Sequence, residues 1–173
     1  MEASGSGPRL VIVCGLPGPG KTTLAKELER RLRAVRFSPD EWMDAFSLNL
    51  YDEKRRADRE LQWKLGQELL AHRLIVIIEW GTWGSSERDS LQLGARALGA
   101  AVELHYLHAP ADVLFDRIQP RGVETPPIER EVLSRWSEIF EVPTPEEVAL
   151  LDEPRVAGLA SGSNSSTTRA GLH

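Results

Sequence analysis

The chain has 173 residues, a formal net charge of −5, and 41% hydrophobic and 27% charged residues. That length suits one domain, and the balance excludes collagen, a long coiled coil and a wholly disordered protein. There is no long basic run, so a duplex nucleic-acid surface is not expected, and no apolar stretch reaches the roughly 18–20 residues that span a bilayer.

Residues 1–8 are small and polar and read as a flexible leader. Residues 156–173, rich in Ser, Gly and Thr, read as a disordered tail or a non-native extension. The compact domain is expected over 9–155. It opens on a continuous apolar run, Leu10–Cys14, the pattern of a strand buried on both faces. Leu24, Leu28 and Leu32 mark one stripe of a helix. A short strand is predicted near Val35–Phe37. Ser38, Pro39 and Glu41 form a helix start, with Ser38 as N-cap. Asp52–His72 reads as a long helix that turns Leu61, Leu65 and Leu69 inward. Leu74–Ile78 is the next apolar strand, and Ser85–Leu98 the helix after it. Val102, Leu104 and Tyr106 alternate as in a fourth strand. Pro110 opens a helix through Val113, Leu114 and Ile118, and Gln119–Pro127 is a Pro/Gly loop. Two helices close the domain, about Ile128–Phe140 and Pro145–Leu151. The second carries a capping box of Thr144 and Glu147.

Strands that alternate with helices and are apolar throughout predict an α/β fold. The expected form is a parallel sheet of P-loop NTPase type with helices on both faces, kinase-like with a short lid. Ligands of such sheets bind at the carboxyl ends of the strands. The first strand runs into Gly15, Leu16, Pro17, Gly18, Pro19, Gly20, Lys21, Thr22 and Thr23. This is the phosphate-loop pattern, Gly, four residues, Gly-Lys-Thr, in its strand–loop–helix setting. Glycines let successive backbone N–H groups face inward as an anion nest, and the helix N-terminus adds its dipole. Gly15, Pro17, Gly18, Pro19, Gly20, Lys21, Thr22 and Thr23 are therefore candidate ATP ligands. Lys21 suits the β- and γ-phosphates, and the Thr22 hydroxyl suits Mg²⁺. Pro19 removes one backbone donor from the loop.

The other strand ends choose among P-loop classes. Asp40, after the second strand, is either a helix-start acid or the base that takes the proton of a phosphoryl acceptor; its position favours the base. Glu79 ends the third strand, one methylene longer than the usual Asp. It meets Mg²⁺ through water, holds substrate, or is an ordinary strand-end acid. Arg117 and Arg121 flank the Pro/Gly loop. They are candidates to steady the transferring phosphoryl group from a lid, with solvated surface arginines as the alternative. Arg88 either binds an anionic or polar substrate group or pairs with a nearby acid on the helix surface. No Asn-Lys-X-Asp motif is present, which argues against a GTPase, and the short chain argues against a motor.

The chain holds 5 Trp against 4 Phe and 2 Tyr. Trp63 and Trp136 fall within helices and read as core. Trp42, Trp80 and Trp83 fall at strand ends that border the expected cleft. Trp80 and Trp83 either pack or form an aromatic wall for a planar ring or a sugar face, which points to a nucleoside-like or aromatic acceptor.

Gly15–Thr23, the segment Ser38-Pro39-Asp40-Glu41-Trp42, the strand with Glu79 and Trp83, and Glu87-Arg88-Asp89 together resemble a known group. It is the small P-loop kinases of AAA_33 or zeta-toxin-like type, which include chloramphenicol phosphotransferase and the tunicamycin-resistance proteins. The resemblance spans Leu10 to Pro154. It implies phosphorylation of a small-molecule hydroxyl with ATP and Mg²⁺, and Asp40 as the base. Arginine greatly exceeds lysine, in keeping with a GC-rich bacterial source in which self-resistance to an antibiotic has a place. Two other readings stand beside it: a UDP-sugar kinase of zeta-toxin type, and a resistance protein that sequesters its ligand without catalysis. The single cysteine, Cys14, has no internal disulfide partner, so a reducing cytoplasm is the expected location.

Overall fold

The computed structural model describes residues 7–18, 20–48, 54–121 and 128–156. Its strands are β1 (Arg9–Cys14), β2 (Val35–Phe37), β3 (Ile75–Gly81) and β4 (Ala101–Tyr106). They form one parallel sheet in the order β2-β3-β1-β4. Parallel neighbours need long crossovers, and helices supply them. These are α1 (Lys21–Leu32), then α2 (Pro39–Ala45) with α3 (Lys54–Ala71), then α4 (Ser85–Ala97). After β4 come α5 (Ala111–Ile118), a 3₁₀ turn over Gln119–Arg121, α6 (Arg130–Ile139) and α7 (Pro145–Ala149).

The apolar runs are explained by a core on each face of the sheet. Successive strand residues point to opposite faces. Leu10, Ile12 and Cys14 join the larger core with Leu70 of α3, Leu91 of α4, Leu114 of α5 and Leu133 of α6. Val11 and Val13, with Ile75 and Ile77, pack on Ala25 and Leu28 of α1. Each Val, Leu or Ile among them contributes about 1.5–3 kcal/mol when fully buried, which accounts for the unbroken apolar runs of β1 and of β3 as far as Ile78. The chain leaves β1 toward β2 and returns from β3 to β4 on the other side of β1. The carboxyl end of β1 is thus the switch point, where such sheets open a crevice.

Three local expectations are corrected, and the start of α2 at Ser38 and Pro39 stands as expected. The core face of α3 is one residue out of phase with the leucine stripe: Gln62, Gly66 and Leu70 are buried, whereas Leu61 is 51% exposed. Gly66 faces the sheet, where a Cβ would make ordinary contact with Val76, Phe37 and Trp63 at 3.5–3.6 Å. Gln62 turns inward because its amide oxygen accepts the Trp80 indole N–H at 3.0 Å. β4 does not bury only the alternating Val102, Leu104 and Tyr106 face. Glu103 and His105 are buried on the other, where Arg9 meets Glu103 at 2.7 Å. Ser38 stands at the N-cap of α2 without a capping hydrogen bond from its side chain. The Thr144 and Glu147 box is half formed. Thr144 Oγ1 accepts the Glu147 amide at 3.2 Å, but the Glu147 carboxylate goes to Arg88 instead. Leader residues 1–6, Pro19, residues 49–53, most of the Pro/Gly loop (122–127) and residues 157–173 lie outside the described residues. No helix among the described residues is long and apolar enough to cross a membrane.

Candidate active site

The site grows from the ends of β1 and β3. Their register shifts between Ile12, opposite Ile78, and Cys14, opposite Gly81. β3 therefore carries an extra residue at Glu79 and Trp80, and such a bulge re-aims side chains. Gly81 follows at φ +88° and Thr82 at φ +40°, both left-handed. The first is natural for glycine; the second strains a β-branched residue. A Cβ on Gly81 would lie 2.9 Å from Trp83 Nε1, so the indole rests where only glycine leaves room. Trp83 then meets Trp136 of α6 with ring centroids 5.3 Å apart and tilted by 60°.

The phosphate loop leaves β1 with its first amide engaged: Gly15 N donates to Gly81 O at 3.2 Å. Gly20 caps α1 at φ +93° with no side-chain hydrogen bond to the helix amides. The first amides of a helix are the donors that an anion at a helix start needs. Lys21 folds back so that Nζ donates to Leu16 O at 2.7 Å. Thr22 and Thr23 are exposed on the first turn of α1, which holds no acidic residue.

These ends enclose a cavity of about 410 Å³. Of the residues expected from sequence, Gly15, Pro17, Lys21, Asp40, Glu79, Trp80 and Trp83 line it. Asp40 is the second residue of α2, and its Oδ1 pairs with Arg55 Nη2 at 2.7 Å. The Glu79 side chain is 3% exposed, and Arg36 Nη1 donates to its Oε1 at 3.0 Å. Arg36 also binds Glu29 at 3.0 Å and Glu41 at 2.7 Å. The other Glu79 oxygen, Oε2, is buried and has no hydrogen-bond partner. Burial pushes the Glu79 carboxyl above its usual range, although Ser38 and Arg36 pull it down.

Other expected residues are placed elsewhere. Trp42 packs edge-on to Phe37, centroids 6.0 Å apart, away from the cavity lining. The Arg88 side chain is 2% exposed and fully committed. Its Nε and Nη2 bind Glu147 at 2.5 and 3.0 Å, and Nη1 donates to Thr82 O at 2.9 Å. It does pair with an acid, but across the fold and not on its own helix. Arg117 is exposed on α5 and does not line the cavity. Pro19 and the Arg121 side chain lie outside the described residues.

Sequence reasoning missed Arg55, Arg59, Glu87, Ile128 and Trp136, all of which line the cavity. Arg59 Nη2 donates to Trp80 O at 2.7 Å, and Nη1 pairs with Glu87 at 3.3 Å. Burial lowers the Arg59 pKa and raises that of Glu87, each partly offset by the other. One signal was available. Arg55 and Arg59 stand one turn apart at the start of a helix, where the dipole disfavours cations. Trp136 had none, because its partner Trp83 is far away in sequence.

The AAA_33 family model, described as an AAA domain, matches residues 10–143, from β1 into the link between α6 and α7. The chain belongs to this P-loop family. A search of curated protein sequences finds no match. Solved structures share the fold at low identity. A gluconokinase from Sinorhizobium meliloti is 21% identical over 82% of this chain and 79% of that one, with a TM-score of 0.58. A sugar kinase from Janibacter is 22% identical over 81% and 82%, with a TM-score of 0.61. Kti12 from Chaetomium thermophilum, in complex with ADP-AlF3, is 18% identical over 79% and 82%, also at 0.61.

Proposed function

We propose that the protein is an ATP-dependent phosphotransferase acting on a hydroxyl of a small molecule. One observation carries this. Lys21, where the phosphate loop enters α1, and Asp40, a carboxylate, line a single cavity with Trp83 and Trp136. The similarity in fold to kinases supports the reading.

The chemistry follows from these residues. The acceptor oxygen forms a bond to the γ-phosphorus of ATP as its proton passes to the Asp40 carboxylate. The bond from that phosphorus to the bridging oxygen breaks, and the electron pair leaves with ADP. Lys21 and the backbone amides at the start of α1 hold the negative phosphates. Asp40 must first release Arg55, its present partner. The residues also fit a hard cation. Mg²⁺ takes one or two protein oxygens and relies on the nucleotide for the rest. The unpartnered Glu79 Oε2 and the exposed Thr22 hydroxyl are the candidate ligands. Among the described residues no cluster of three His, Cys, Asp or Glu offers a site independent of nucleotide. When bound, the ion neutralises charge on the phosphates. The aromatic pair favours an acceptor with a flat face, as in a nucleoside-like antibiotic, and self-resistance is the corresponding biological role.

The test is a screen of sugars, nucleosides and antibiotics for ATP-dependent mass gain of one phosphate. With an acceptor in hand, Asp40→Asn is expected to lower kcat by about 10²–10⁴-fold. Near wild-type turnover would remove Asp40 from the role of base. Stoichiometric ligand binding with no phosphoproduct would favour the sequestering reading instead.

A further inference from the structure

Charged residues around the cavity are balanced: Lys21, Arg55 and Arg59 against Asp40, Glu79 and Glu87. Lys21 and Glu79 belong with the phosphate loop and the cation. That leaves two guanidinium groups on one face of α3, beside the residue read as the base. They carry more cationic recognition than a neutral acceptor would use.

Their present partners leave that capacity under-used. Arg55 spends Nη1 on the Met43 thioether sulfur at 3.7 Å, a weak acceptor. Arg59 Nε is buried without any partner, and its Nη1 reaches Glu87 only at 3.3 Å. The surroundings add to the same field. The first turn of α3 contains no acid, and Lys54, Arg55 and Arg56 follow one another there, with Asp52 and Glu53 just before them in sequence and Asp58 in the next turn. The positive end of the helix dipole lies at that turn. Arg88, the residue that the sequence offered for an anion, is closed off by Glu147.

We propose that the acceptor is itself an oxyanion, a hydroxylated carboxylate or phosphate, whose charged group is bound by Arg55 and Arg59. This narrows the phosphotransferase reading and rests on it. It also gives the Asp40–Arg55 pair a purpose. Without acceptor, Arg55 holds the Asp40 carboxylate at 2.7 Å. An incoming oxyanion takes the Arg55 guanidinium in exchange and leaves Asp40 free to accept the hydroxyl proton. A neutral acceptor offers no such exchange, so it meets a base still tied in an ion pair.

Matched pairs of acceptors test this. Hydroxy acids are set against their amides or polyols, and sugar phosphates against their parent sugars. Two readouts are followed: ATP-dependent phosphate transfer, and quenching of tryptophan fluorescence, which reports binding without turnover. The anionic member of at least one pair is expected to show at least tenfold higher kcat/KM and tighter binding. The carboxylate and phosphate arms tell which oxyanion is meant. Arg55→Gln and Arg59→Gln should each reduce that preference by about tenfold to a hundredfold, the effect of losing a charge-assisted hydrogen bond. Arg59→Lys should restore part of it. Arg55→Gln decides the matter if Arg59→Gln does not fold. The proposal is overturned if no anion is bound better than its neutral counterpart, or if the preference survives both substitutions. Binding that prefers anions without any phosphoproduct would sink the phosphotransferase reading and leave the oxyanion site standing.

Discussion

Replacing Glu147 by glutamine probes the contact that ties the end of the domain to the site. Arg88 is buried and Glu147 largely so, with side chains 2% and 11% exposed, and they share two hydrogen bonds. Glutamine keeps one acceptor but removes the charge and turns an amide toward the guanidinium. Breaking a buried pair on one side costs about 3–5 kcal/mol, because the remaining charge is uncompensated. Total stability of such a domain is about 5–15 kcal/mol. The loss should lower Tm by about 6–20 °C, at about 2–4 °C per kcal/mol. The effect should also reach the acceptor site. Arg88 Nη1 holds the carbonyl of Thr82, the strained residue just before Trp83. Urea unfolding gives the stability, and KM for the acceptor against KM for ATP gives the site effect, with only the first KM expected to rise. Arg88→Met combined with Glu147→Leu should recover most of the lost stability, since an apolar pair avoids desolvating charge. A Glu147→Gln change within about 0.5 kcal/mol of the parent, the range of ordinary surface substitutions, would refute the reasoning.

Two buried carboxylates should respond to pH with opposite signs. Burial raises the pKa of Glu79 in the folded state, so its contribution favours folding at low pH and is lost as pH rises through the raised value. Glu79→Gln is thus expected to raise Tm at neutral pH, with the difference shrinking toward acid. For Glu103, burial also pushes the pKa upward, but His105, the Arg155 amide and Arg9 more than offset it, and the pKa falls. Its stabilisation is present above the ordinary carboxylate range and is lost as pH falls through the depressed value. Glu103→Gln should therefore lower Tm at neutral pH and little at strongly acid pH; equal slopes for the two variants would contradict both assignments. Gly81→Ala should cost about 1 kcal/mol for its left-handed backbone and displace the Trp83 ring, which a Cβ would approach to 2.9 Å. Weakened acceptor binding with unchanged ATP binding, read by fluorescence, is the expected result.

Local physics makes several features legible in the amino-acid order alone. A run such as Leu10–Cys14 has one stable use, a strand covered on both faces, and the two cores supply those covers. Asp40 is legible because a carboxylate one residue into a helix, just past a strand, must stand at the carboxyl edge of the sheet. The phase of α3 is not legible. Leu61, Leu65 and Leu69 form as regular a stripe as Gln62, Gly66 and Leu70. The choice between them depends on where Trp80 needs an acceptor. Arg88 misleads for a related reason: its partner is 59 positions away and invisible to helix spacing.

The sequence by itself therefore determined the alternating fold, the phosphate loop and the side of the sheet where chemistry is expected. Each follows from short-range pattern: apolar runs, glycine spacing, and the helix start after a strand. Tertiary structure alone decided the commitments of the charged and aromatic side chains. Arg88 became a clasp, Arg55 and Arg59 joined Lys21 as cations of the cavity, and Trp136, expected in the core, became the partner of Trp83 in its wall. Burial makes those choices, because a charge or an indole N–H removed from water must find a partner in space, wherever the chain has brought one.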